Sequence, residues 1–276
     1  MMTYESLRQV TDLAGVVLAA NPSQMTLDGT NTWLLRDDPA RRQVIVVDPG
    51  PDDERHLRAV LDAAGSVSMI LLTHGHADHS AGASRLHELT GAPVRAMDPA
   101  HRYGGEGMTE GSVVEAAGVT VRVWATPGHS SDSLCFVLPG PDADADGARG
   151  MAHAVLTGDT ILGRGTAVVA HPDGVLADYL ASLHRLSTLA GVAVLPGHGP
   201  ELRDAGASAT TYLAHRQRRL DEVRAALAAA EEPLTPQQVV RAVYADVDQA
   251  LWPAAELSVR AQLAYLDETA DPLRRR

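Results

Sequence analysis

The densest chemistry in the sequence is the run THGHADHS, which places His74, His76, Asp78 and His79 within six residues. In an extended loop, side chains two apart point the same way, so His74 and His76 can meet one cation. Asp78 and His79 then fall at the start of the next helix and can turn toward a second cation. Neutral imidazole and carboxylate are suitable zinc ligands, at about 2.0–2.2 Å. A lone histidine is usually a satisfied structural or surface residue, and His56, His87, His101, His153, His171, His184 and His215 are read that way first. Three histidines and an aspartate so close together at a strand end have little packing rationale. Three later segments add one ligand type each: TPGH ends on His129, LTGD on Asp159 and LPGH on His198.

Each of these groups closes an apolar run. VIVVDPG (Val44–Gly50) reads as a buried strand ending in a loop, and SMILLTHGHADH, VTVRVWATPGH, HAVLTGDT and VAVLPGHG repeat the pattern. Helical stretches such as DERHLRAVLDAAG and ADYLASLHRLSTLA intervene. Strands alternating with helices, with polar groups at one set of strand ends, indicate a layered α/β domain. From about Arg203 the texture turns to Ala-, Arg- and Glu-rich helix. Thr235 is placed to cap a helix that begins at Pro236, and PAAELSVRAQLAYLDE supplies another. The chain therefore divides into residues 1–203 and a small helical domain, 204–276. The insert PGPDADADGARG sets Asp142, Asp144, Asp146 and Gly147 at calcium-loop spacing. Position twelve of such a loop needs a carboxylate and here holds His153, so the insert reads as an acidic hairpin loop.

The formal net charge is −12, and all 23 basic residues are arginine. A broad electrostatic grip on nucleic acid is therefore not visible, although a local arginine patch stays open. The single cysteine, Cys135, allows no internal disulfide and fits a reducing cytoplasm. Within LCFVL it reads as a small buried hydrophobe rather than a nucleophile. No apolar run approaches 18 residues, and MMTYESLRQV lacks the pattern of an export signal. A cytoplasmic protein without membrane association is expected; oligomeric state is not legible.

HxHxDH followed by separate His, Asp and His ligands resembles the signature of the metallo-β-lactamase superfamily, over residues from about 10 to 200. The segments NPSQMTLDGTNTWLL, TPGHSSDSLCFVL, GDTILGRGTAVV, PGHGP and YLAHRQRR are similar to the beta-lactamase-like protein 2 family. That family includes an animal mitochondrial endoribonuclease for single-stranded RNA and fungal thioesterases that release polyketides from acyl carrier proteins. The resemblance implies a four-layer αββα fold with a C-terminal winged-helix-like domain. It implies two Zn2+ per chain, the first on His74, His76 and His129. The second would sit on Asp78, His79 and His198, with Asp159 bridging and Asp48 supporting the ligand histidines. Asp78 and Asp159 would orient a metal-activated hydroxide. Thr30, Asn31, Gly163 and Thr166 would line the substrate site, and His215 and Arg216 would border it. No wing strand is evident near the C-terminal DETADPLRRR, so the last domain reads as a helical cover over the site as readily as a nucleic-acid binder.

Among functions, hydrolysis of an ester or thioester of a small or medium acyl group is expected first, with single-stranded RNA cleavage as the alternative. True zinc β-lactamases lack the bridging aspartate and are secreted. Glyoxalase-II-like hydrolysis needs a basic cluster for glutathione that this chain lacks. A one-iron sulfur dioxygenase would use fewer ligands, and a non-enzymatic binding module would have lost some of the seven.

Overall fold

Along Asn31–Leu35 and Gln43–Val47, successive side chains enter two different apolar layers, and this alternation organises the molecule. The structure is a computed structural model that describes residues 3–38, 40–140 and 152–270. The first sheet runs in chain order: β1 (Leu7–Gln9), β2 (Ala14–Leu18), β3 (Asn31–Leu35), β4 (Gln43–Val47), β5 (Ser66–Leu71) and β6 (Val94–Arg95). It is antiparallel from β1 to β4 and parallel from β4 to β6. The second contains β7 (Val113–Ala116), β8 (Val119–Ala125), β9 (Leu134–Pro139), β10 (Ala152–Gly158) and β11 (Ala193–Pro196), in the order β11-β10-β9-β8-β7. Only β10 and β11 are parallel in it.

Trp33, Leu35, Ile45, Val47 and Leu71 face Val121, Val123, Phe136 and Leu156 across the space between the sheets. The opposite set on the first sheet, Leu34, Val44, Val46 and Ile70, packs on α1 (Glu54–Ala64) and α2 (Ala77–Thr90). On the outer face of the second sheet, Cys135, Val137 and Val155 meet Tyr179 and Leu183 of α3 (Leu176–Leu186) and Tyr212 of α4 (Ala205–Ala229). The layers are helix, sheet, sheet, helix: the four-layer αββα arrangement. Trp33 also ties the sheets together, since its indole N–H donates to the Pro196 carbonyl at the end of β11 (3.1 Å).

Asp53 caps α1 by accepting from the amides of Arg55 and His56. Helix α3 stops at Leu186, before the last four residues of the expected helical stretch (187–190), where Ser187 and Thr188 turn their hydroxyls onto the carbonyls of His184 and Arg185. Helix α4 runs longer than one layer needs. Its first part packs on the second sheet, while Val223 joins a separate cluster with Val239 and Val240 of α5 (Pro236–Val243) and Val259 of α6 (Trp252–Ala270). Thr235 and Gln238 form a reciprocal capping box at the start of α5. The C-terminal region is helical, with no strand among the described residues after α4. No helix among the described residues is long and apolar enough to cross a membrane. Asp142, Asp144, Asp146 and Gly147 lie outside the described residues, and His153 belongs to β10.

Candidate metal centre

Five strand ends converge at one edge of the sandwich. Asp48 follows β4, His74 and His76 follow β5, and Asp78 and His79 lie in the first turn of α2. His129 follows β8, Asp159 follows β10 and His198 follows β11. Asp48 is buried, with a left-handed φ of 51°, a conformation that Asp tolerates better than most residues. Its Oδ1 accepts from the Thr73 amide (2.8 Å) and its Oδ2 from the Thr73 hydroxyl (2.7 Å). Oδ2 also accepts from Nδ1 of His79 at 2.9 Å. With its proton committed to Asp48, the Thr73 hydroxyl can accept from Nδ1 of His74 (3.1 Å). One carboxylate thereby orients two imidazoles. Two more are fixed by carbonyls: Nδ1 of His129 donates to Val168 (2.7 Å) and Nδ1 of His198 to Gly29 (3.0 Å). Committing Nδ1 in this way leaves Nε2 as the metal-facing atom.

The free donor atoms fall into two sets. Nδ1 of His76 lies 3.0 Å from Nε2 of His74 and 3.0 Å from Nε2 of His129. Nε2 of His198 lies 3.1 Å from Nε2 of His79 and 3.1 Å from Oδ2 of Asp78. Asp159 reaches both: Oδ1 is 3.4 Å from His79 Nε2 and 3.5 Å from His198 Nε2, while Oδ2 is 3.7 Å from His129 Nε2. Ligands about 2.1 Å from a tetrahedral ion stand roughly 3.4 Å apart, so the spacings fit a shared cation in each set. Oδ1 of Asp159 is buried without a hydrogen-bond partner. Nε2 of His79 and Nε2 of His198 face each other, an arrangement that a shared proton or a bound cation satisfies.

The electrostatics carry the same demand. Burial alone would raise the pKa of Asp159, but the charges of His198 and His79 outweigh it and hold the carboxyl well below its usual range. Burial opposes a charge on His79, yet Asp159 and Asp48 hold that imidazole well above its ordinary value. Burial, followed by the neighbouring His79 and His129, pushes His74 far down. Beside these groups opens a cavity of about 290 Å³, lined by His129 and Asp159 at the metal-ligand end and by Val247, Leu251 and Ala255 of the C-terminal helical region.

Residues 25–144 match the model of the metallo-beta-lactamase superfamily, and residues 235–269 that of the beta-lactamase associated winged helix domain. The chain is 30% identical to the "Beta-lactamase-like protein 2 homolog" of Drosophila melanogaster, over 97% of this chain and 92% of that one. The chain belongs to the metallo-β-lactamase superfamily. It is also 32% identical to the "Atrochrysone carboxyl ACP thioesterase" of Aspergillus fumigatus, over 76% of this chain and 64% of that one. It thus spans about two thirds of the length of that fungal relative. A beta-lactamase domain protein from Burkholderia ambifaria superimposes with a TM-score of 0.78 at 23% identity, covering 98% of this chain and 90% of that one.

In this metallo-β-lactamase-fold protein, the structure brings together all seven residues of the sequence motif. Thr166, His215 and Arg216 line the cavity. Thr30, Asn31 and Gly163 do not; they brace the loop that carries His198. Thr30 is held by both polar atoms of the Asn21 amide and bridges to His198. The Asn31 amide donates to the carbonyls of Pro196 and Gly199 (3.0 and 2.9 Å), and the Gly163 N–H donates to the His198 carbonyl (2.9 Å). Thr30 is spent on the Asn21 side chain, and Asn31 and Gly163 on backbone carbonyls, which takes their polar groups away from the cavity. Sequence reasoning missed Thr73, whose one signal is its place directly before His74. It also missed the cavity wall from Tyr244 to Ala255, ordinary apolar residues with no local mark of a site.

Proposed function

We propose that this metallo-hydrolase holds two zinc ions and cleaves an ester or thioester of a small or medium acyl group. One ion would be held by His74, His76 and His129 and the other by Asp78, His79 and His198, with Asp159 within reach of both sets. The observation that carries the reading is the placement of Asp159, whose two oxygens turn toward different ligand sets. Zinc bound there supplies Lewis acidity and brings the pKa of its water near about 7. The protein's own part is positional. Asp48 and Thr73 hold His79 and His74 in the ligand tautomer. Asp78 and Asp159 orient the attacking water by accepting its hydrogen bonds. The wall of Val247, Leu251 and Ala255 excludes solvent and receives the hydrocarbon part of an acyl group.

Similarity to an acyl-carrier-protein thioesterase supports an acyl substrate. The net charge of −12 weighs against a polyanion, because repulsion at low salt must be offset by the metals and a few arginines. The competing reading is cleavage of single-stranded RNA, for which the winged-helix-like C-terminal domain would offer a nucleic-acid contact. The test is kcat/KM of the zinc-loaded protein on thioesters, lactones, phosphodiesters and single-stranded RNA at low and moderate salt. Thioesters or esters are expected to be cleaved best. Efficient RNA cleavage, with binding that weakens steeply as salt rises, would replace this reading with the ribonuclease.

A further inference from the structure

Helix α4 carries three side chains whose buried nitrogens find no partner in the protein. Nδ1 of His215, Nε of Arg216 and Nε of Arg219 are all buried without a hydrogen bond, and all three side chains line the cavity that His129 and Asp159 share. Residues 215, 216 and 219 fall on one side of the helix, so they converge on the same space. What balances the charges differs. Arg219 is paired with Glu222 at 2.9 Å and lies 3.6 Å from Asp246. Arg164, also on the cavity, is paired with Asp28. Arg216 is 4% exposed, and among the described residues no carboxylate pairs with it. Its contacts are the Ala167 carbonyl and the ring of Tyr179, whose centroid lies 5.0 Å from the guanidinium carbon.

A buried cation without a counter-charge is costly, and a carbonyl and an aromatic face compensate it only in part. His215 adds no second charge, since burial and the adjacent Arg216, Arg218 and Arg219 push its pKa down to about 4. The missing component is an anion, and the space beside Arg216 is the cavity itself. A planar guanidinium matches a carboxylate or a phosphate through paired N–H donors.

We propose that the substrate carries a second, anionic group, a carboxylate or phosphate remote from the scissile carbonyl, and that Arg216 receives it on the α4 side of the cavity. The proposal rests on the acyl-hydrolase reading and narrows it to acyl groups charged at their far end. Val247 and Leu251 then flank the hydrocarbon between the two polar ends.

The test uses three matched N-acetylcysteamine thioesters: hexanoyl (neutral), adipoyl (terminal carboxylate) and 6-phosphonohexanoyl (terminal phosphonate). The zinc-loaded wild-type protein should prefer at least one charged thioester over hexanoyl by about tenfold or more in kcat/KM, and which one names the anion. Arg216→Gln should bring that ratio to about one or below, and Arg216→Lys should keep part of it. If hexanoyl is cleaved as well as both charged partners by the wild-type protein, the anion subsite is overturned and the hydrolase reading stands. If none of the three is cleaved, the hydrolase reading fails, and the subsite is then judged by calorimetric binding of adipate and inorganic phosphate. Binding weakened about tenfold by Arg216→Gln supports the subsite, and equal binding by both proteins overturns it. Should Arg216→Gln fail to fold, the wild-type charge preference decides alone.

Discussion

A Cβ placed on Gly197 would stand 2.8 Å from Oδ1 of Asp159 and 2.6 Å from Cε1 of His79. The parallel pairing of β10 and β11 causes this closeness, since it brings the loop before His198 directly against the carboxylate. Gly197→Ala must therefore move Asp159 or His79, and metal sites tolerate about 0.2 Å of ligand displacement. The expected outcome is a loss of metal affinity of roughly tenfold or more with little change in Tm, read by chelator competition and thermal melting. Wild-type affinity in the variant would show that the carboxylate position is not critical.

Asp48→Asn tests the support beneath the ligands. Asp48 accepts three hydrogen bonds, two from Thr73 and one from His79. An amide keeps the left-handed backbone but turns an NH2 group against at least one of those donors. Metal affinity should fall by about 10–100-fold, measured with a competing chelator. An unchanged affinity would mean that the ligand histidines are oriented by packing alone.

His215 predicts a pH dependence with a definite sign. Its pKa is about 4 in the folded protein, against 6.5 for an unperturbed imidazole. The unfolded chain therefore binds the proton first as pH falls. The stability contributed by the neutral ring is complete above pH 6.5 and is lost as pH drops through about 4. A proton NMR titration should place the His215 ring near 4, and His215→Gln should flatten the stability curve in that window. A titration near 6.5 would contradict the burial of this ring against the arginines.

Cys135 should be inert in the native protein. It is fully buried in β9, and burial pushes its thiol up to about 11. Iodoacetamide at neutral pH should leave the folded chain unmodified over hours and add one group in denaturant, as mass spectrometry would show. Rapid native alkylation would contradict the core packing around β9.

The strands that carry ligands were legible because each is an apolar run that ends in Asp or His, as in Gln43–Val47 before Asp48 and Ser66–Leu71 before His74. Leu7–Gln9 is exposed at every position and carries no burial pattern, so β1 has no sequence mark. The bracing contacts of Asn31 are not legible in sequence, because its amide partners lie 165 and 168 residues away. Contacts made by backbone carbonyls, such as Val168 on His129 and Gly29 on His198, are independent of side-chain identity and leave no trace in sequence. Arg216 was legible as a cavity residue only through its motif; that it lacks a counter-ion follows from three-dimensional packing.

The proposed function depends on Asp159 serving two ions as one reactive centre. The direct measurement is metal content by elemental analysis during stepwise zinc titration of the stripped protein, with esterase or thioesterase activity followed in parallel. Activity should rise until about two zinc ions are bound per chain, and Asp159→Ala should stay folded while losing the second equivalent and the activity. Full activity at one metal per chain, unaffected by Asp159→Ala, would contradict a dinuclear centre.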